Sequence, residues 1–172
     1  MSNFILMFVC TGNICRSPMA EGIMNDLILN YVDSKKQFMP IEIFSTGTHA
    51  VRGHSASRFA IEVSEQHGIN ISFHRGKQIT QEISEAADLI LTLETSHKDY
   101  IKRHWPHIDY VYELKGFDRK DEHPEGILDI TDPIGMDYDV YSAVFKEIKS
   151  EIERVSQTVF SLALEKYRNI SN

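Results

Sequence analysis

Five residues separate Cys10 from Arg16 in Val9-Cys10-Thr11-Gly12-Asn13-Ile14-Cys15-Arg16-Ser17-Pro18. A thiolate and a guanidinium at the two ends of a short loop can capture a phosphate group and attack it. The apolar run Phe4 to Val9 has the length of a fully buried strand, and Pro18 after Ser17 marks a helix start. A loop in that position curls its backbone N–H groups inward at a helix amino terminus, and the nest and the helix dipole together bind a dianion. Gly12 is expected to supply the backbone freedom this turn demands. The same positive field favours Cys10 as thiolate, the nucleophilic form. Arg16 closes the ring with a planar fork that holds two phosphate oxygens in parallel, which Lys does not reproduce. The expected phosphate-binding set is Thr11, Gly12, Asn13, Ile14, Cys15, Arg16 and Ser17. A buried Cys is commonly just a small hydrophobe, but here strand, glycine, Ser-Pro and spacing agree. No Gly-Lys-Ser/Thr follows Gly12, which excludes a nucleotide-binding P-loop.

Attack on a phosphate monoester leaves an alkoxide-like or phenolate oxygen that needs a proton, so a general acid must come from elsewhere in the chain. The stretch Asp129-Ile130-Thr131-Asp132-Pro133-Ile134-Gly135 precedes the last long helical pattern, and Asp132-Pro133 reads as a rigid element that holds a carboxylic acid over a pocket. Asp132 is the candidate acid and Asp129 the lesser one. Asp-Pro is also an ordinary turn sequence, so this assignment depends on Cys10 and Arg16.

These motifs resemble those of the low-molecular-weight protein tyrosine phosphatases. The resemblance spans nearly the whole chain: Val9 to Glu21, Phe44-Ser45-Thr46-Gly47-Thr48, Gln78-Ile79-Thr80, and Thr131-Asp132-Pro133 followed by Tyr138 to Tyr141. It implies Cys10 as nucleophile, Arg16 as phosphate clamp, and Asp132 as general acid and then as base for the water that hydrolyses a phosphocysteine. It implies Asn13, Ser17, Ser45 and His74 as the loop-supporting network, with Ser17 assisting Cys10 as a leaving group. It implies Cys15 as partner of Cys10 in a reversible disulfide, and Tyr138 and Tyr141 as a pair that kinases phosphorylate; packing against the last helix is the plainer reading of that pair. Phosphotyrosine-specific members of that family often wall the pocket with aromatics; at the places that match, this chain departs from them with Val51 and Ile134, so the aromatic sandwich is expected to be missing. Asp132-Pro133-Ile134-Gly135 is similar to the bacterial protein arginine phosphatases of the same family, which tend to have Thr where this loop has Ile14. Phosphotyrosine is therefore the first expected substrate and phosphoarginine the second. A hypothesis of another class is an inactive phosphate-binding or redox-switch module built on the Cys10–Cys15 pair, against which Asp132 argues. Thioredoxin-coupled arsenate reduction needs further cysteines for its relay, and the chain has two.

The elements that must position these residues alternate. After the first strand, the pattern predicts a helix over about 18–31, a strand at 41–45, a helix over 55–67 and a strand at 88–93. A helix over 95–104, a strand at 110–114 and a final helix over 140–167 follow. In the last, Val144, Ile148, Ile152, Val155, Val159 and Leu162 form one apolar stripe. Strands separated by helices predict one α/β domain over 1–172, a central four-stranded parallel sheet with helices on both faces and the phosphate loop after strand one.

With 172 residues and 42% hydrophobic content the chain can bury one sizeable core. A formal charge of −7 argues against a nucleic-acid binder. Two cysteines in one motif, no signal-peptide pattern and no membrane-length apolar stretch point to the cytoplasm. Asp118-Arg119-Lys120-Asp121-Glu122 reads as a solvated loop. His104-Trp105-Pro106-His107 lacks a completing ligand set, so no metal or other cofactor is expected; Trp105 reads as a packing residue. The expected partners are a phosphorylated protein as substrate and inorganic phosphate as product, with neither nucleic acid nor membrane.

Overall fold

The computed structural model of the chain describes residues 3–119 and 128–171; Lys120, Asp121 and Glu122 of the charge run lie outside them. The elements follow in the order β1 (Phe4–Cys10), α1 (Arg16–Lys35), β2 (Ile41–Gly47), α2 (Arg58–Gln66), α3 (Gln81–Ala86), β3 (Leu89–Thr92), α4 (Thr95–His104), β4 (Val111–Glu113) and α5 (Tyr138–Ser171). All four strands are parallel, in the order β2-β1-β3-β4. The expected α/β architecture is the observed one, with helix ends shifted by a few residues and one short helix added.

The period-two alternation of β1 explains why both faces are covered. Leu6, Phe8 and Cys10 join a core with Met19, Ile23 and the α5 residues Val144, Ile148, Ile152, Val155 and Val159. Met7 and Val9 point to the other face and pack with Ile90, Ile101, Ile108 and Val111. A strand buried on both sides must be apolar at consecutive positions, which is what Phe4 to Val9 shows. Burying each such Ile, Leu or Phe contributes about 1.5–3 kcal/mol. Five of the six stripe positions on α5 are fully buried and Leu162 packs at the margin of the same core.

The sheet places the site. From β1 the chain crosses to β2 on one side, and the later strands are added on the other. The carboxyl end of β1 is therefore the topological switch point, where an open parallel sheet leaves a crevice for ligand. Cys10 is the last residue of β1, and Arg16 opens α1 after five intervening residues. Gly47, paired with Cys10 in register, lets the two segments approach: a Cβ there would meet the Thr11 carbonyl oxygen and stand 2.9 Å from Asn13 N.

Candidate active site

The loop from Thr11 to Cys15 is held by buried polar groups. Asn13 adopts the left-handed conformation at φ 53°. A side-chain amide that bonds locally makes this tolerable, and that of Asn13 is fully used. Its Nδ2 donates to Ser17 Oγ and to Ser45 Oγ, both at 2.9 Å, and its Oδ1 accepts from Lys77 N at 2.8 Å. Ser45 Oγ passes a 2.6 Å hydrogen bond on to Glu21 Oε2. His74 Nε2 donates to the Asn13 carbonyl at 2.7 Å, which assigns its proton to that nitrogen; burial lowers its pKa and this hydrogen bond opposes the shift. Asn13, Ser17, Ser45 and His74 thus meet in one network. The expectation for Gly12 is corrected: the positive φ belongs to Asn13, and a Cβ on Gly12 would find only ordinary contact with Ile14, at 3.5 Å.

Cys10 is 3% exposed and its Sγ lies 2.9 Å from Ser17 Oγ. Arg16 is 1% exposed. Its Nη1 donates to Glu94 Oε1 at 2.6 Å and to the Ile130 carbonyl at 2.8 Å, while its Nη2 lies 2.8 Å from Asp132 Oδ2. Asp132 also accepts from Ile134 N at 3.2 Å, fixing the start of the Asp-Pro turn. Cys10, Thr11, Ile14, Arg16, Asp132 and Ile134 share the walls of one pocket of about 150 Å³, completed by Gly12 and Cys15. Val51 does not line it and is largely exposed. Asp129 is engaged elsewhere, accepting from Thr95 N at the start of α4 at 2.6 Å.

Cys15 faces a second group of side chains. Its Sγ lies 3.3 Å from Ser57 Oγ and 3.2 Å from the Tyr141 hydroxyl, and burial pushes its pKa up. Tyr141 is buried, its pKa pushed up to about 12 by that burial. Phe59 packs edge-on to both Tyr138 and Tyr141. Both cysteines are free thiols. Trp105 packs against Tyr100 and His104 in the second core, and His107 pairs with Glu85.

Two residues escaped the sequence reading. Glu94 follows β3 closely and holds Arg16, and its carboxylate is also bonded by Ser96. Burial pulls its pKa up, but the hydrogen bond and charge of Arg16, with Ser96 and His97, together outweigh that and lower it. An acid just beyond the carboxyl end of a parallel strand was the available signal. His97, 2% exposed, sets its Nε2 2.9 Å from Thr11 Oγ1 and 3.4 Å from Glu94 Oε2, with Nδ1 buried and without a hydrogen-bond partner among the described residues.

Burial first, then the charge of Arg16, push the His97 pKa down to about 4 against the opposing pulls of Glu94, Asp132 and Asp129. The unfolded chain takes up that proton at about pH 6.5. Between about pH 6.5 and 4 the unfolded state binds more protons, so stability rises with pH across this window and is lost as pH falls. NMR of the His97 ring should accordingly show titration near pH 4, and His97→Gln should flatten the stability profile in that window. A ring titrating near pH 6.5 would refute its neutrality.

A buried thiol and guanidinium on a loop at the switch point of a doubly wound sheet, with a carboxylate across the pocket, have the parts of a cysteine-dependent phosphoric ester hydrolase. The chain belongs to the low molecular weight phosphotyrosine protein phosphatase family, whose match covers residues 5–165. A protein-arginine-phosphatase of Geobacillus stearothermophilus is 33% identical over 153 residues, 88% of this chain and 93% of the relative. The low molecular weight protein-tyrosine-phosphatase PtpB of Staphylococcus aureus is 28% identical over 157 residues, 90% and 98% of the two chains. The crystal structure of a low molecular weight protein tyrosine phosphatase from T. tengcongensis superimposes with a TM-score of 0.76 at 34% identity, over 90% of this chain and 99% of that one. No helix among the described residues is long and apolar enough to cross a membrane.

Proposed function

We propose that the chain hydrolyses phosphotyrosine in proteins through a phosphocysteine intermediate, in a reducing cytoplasm where its two thiols stay free. One observation carries this reading: Cys10, Arg16 and Asp132 line the same small pocket. The Cys10 thiolate attacks phosphorus, forming the S–P bond as the P–O bond to the phenol breaks, and Asp132 gives its proton to the departing oxygen. Arg16 and the loop hold the equatorial oxygens. Water then attacks phosphorus, its proton passing to Asp132, and the S–P bond breaks to release inorganic phosphate. Ser17 Oγ, 2.9 Å from Cys10 Sγ, donates to the departing sulfur.

Asp132→Asn keeps the shape of the turn but removes the transferable proton. Steady-state hydrolysis of a phosphotyrosine peptide should slow by about a hundredfold, with kcat falling more than KM rises. An unchanged kcat would sink the assignment.

A second reading, protein arginine phosphatase, draws on Ile134 in the pocket wall, which holds no aromatic among the described residues, and on the relative named a protein-arginine-phosphatase. Ile14, also in the wall, favours phosphotyrosine, because an aliphatic side chain packs against a phenyl ring and gives no hydroxyl to position water at a phosphoramidate. Hydrolysis of phosphotyrosine and phosphoarginine peptides side by side decides between them: preference for phosphoarginine refutes the first reading. Turnover of neither would favour a binding or redox-switch module.

A further inference from the structure

A chain with a formal charge of −7 carries, beside its phosphate loop, a groove of about 530 Å³ whose lining includes Arg52, Arg75 and Lys77 and no Asp or Glu. None of these three cations forms an ion pair among the described residues. Among the described residues Arg75 donates to the carbonyls of Ser72 and His74, and the Lys77 ammonium stands 5.9 Å from the centre of the Phe44 ring. The nearby helix α3 contributes Thr80 and Ile83 to the lining through its cap and first turn. Its Glu85 is engaged by Gln81 and His107.

The groove is built from two segments tied to each other and to the phosphate loop. Gly53 N donates to Gly76 O at 2.9 Å, and Gly76 N to His54 O at 2.7 Å. On one side His49 N donates to Thr11 O at 2.9 Å; on the other Lys77 N donates to Asn13 Oδ1 at 2.8 Å. Arg52 lies three residues beyond His49, a span of at most about 11 Å. Measured from the His49 contact with the loop, that span equals about three residues of extended peptide.

We propose that this groove is a subsite for acidic side chains flanking the phosphorylated residue of a protein substrate. It rests on the phosphatase reading of the Cys10 pocket and supplies a selectivity that the pocket alone lacks, since a volume of about 150 Å³ holds little beyond the phosphorylated side chain. Complementary charge steers encounter and discriminates between partners, and salt weakens it.

The test compares kcat/KM for two phosphotyrosine peptides of equal length, one with Asp and Glu three to five residues from the phosphotyrosine, the other with Asn and Gln. Wild type should favour the acidic peptide by about tenfold at low ionic strength, on the scale of a few exposed charge pairs, and lose most of that preference at about 0.5 M salt. Arg52→Gln should cut the preference to about threefold and Arg52→Glu should abolish it, while hydrolysis of a small aryl phosphate stays within about twofold. Equal kcat/KM for the two peptides in wild type, or a preference that survives Arg52→Glu, overturns the proposal. If only phosphoarginine peptides with the same flanks are turned over, the phosphotyrosine reading fails and the same comparison on those peptides decides the groove. If no peptide is turned over, both readings fall.

Discussion

Cys10→Ser should lower turnover of a phosphotyrosine peptide by at least about 10⁴-fold while binding of inorganic phosphate stays within about threefold. The sulfur lies at the end of β1, 2.9 Å from the Ser17 hydroxyl. An alcohol in place of the thiol needs a general base to become a nucleophile, and among the described residues no imidazole or carboxylate is hydrogen-bonded to Cys10 Sγ. His74 is spent on the Asn13 carbonyl and His97 on Thr11. The substitution removes one polarizable atom and leaves the loop's supports, Asn13, Ser17 and Ser45, in place. Steady-state kinetics and phosphate titration on the same preparation separate the outcomes. Acid quenching of the wild type during turnover should also leave phosphate on Cys10, read by mass spectrometry. Turnover within tenfold of wild type would end the nucleophile assignment; loss of phosphate binding as well would mean that the sulfur also props the loop, which Cys10→Ala would then show.

Local and apolar features were the legible part of this chain. Phe4 to Val9 reads as a buried strand because it is buried on both faces, and the α5 stripe reads as core because a helix of 34 residues repeats its apolar positions many times. Helix α3, six residues long with Thr80 as its cap, is too short for a periodicity to register. Within the site, Cys10 and Arg16 were legible because the loop keeps them close in sequence. Their partners come from distant segments: Glu94 and His97 reach the loop across separations of 78 and 86 residues, and only the closure of the sheet brings them there. The strained position was misplaced for a related reason. Glycine is the general solution for a positive φ, but here one local hydrogen bond, to Ser17, and two long-range ones, to Ser45 and Lys77, hold the Asn13 side chain and keep an asparagine in it.

Arg16→Lys is the second large effect expected, at least about 10³-fold in kcat/KM with the cation retained. Arg16 serves three acceptors on two different nitrogens, Glu94 and the Ile130 carbonyl through Nη1 and Asp132 through Nη2. A phosphate in the pocket can take over Nη2 while Nη1 stays anchored, so the guanidinium is oriented before the transition state forms and needs no reorganisation when charge moves onto the equatorial oxygens. An ammonium is a point charge on a flexible stem. It cannot stay anchored to Glu94 and the Ile130 carbonyl and also present a planar pair of donors to phosphorus-bound oxygens. The stability of the fold should suffer as well, because a less complete partner leaves Glu94 partly uncompensated, and Tm should fall. Kinetics measured well below the variant's Tm keep the two effects apart. A Lys variant within tenfold of wild type in kcat/KM would show that charge alone, without the fork, stabilises the transferring phosphoryl group. If Glu94→Gln in turn impairs catalysis far less than Arg16→Lys, Glu94 acts by orienting the guanidinium, and the donors of Arg16 are what the reaction requires.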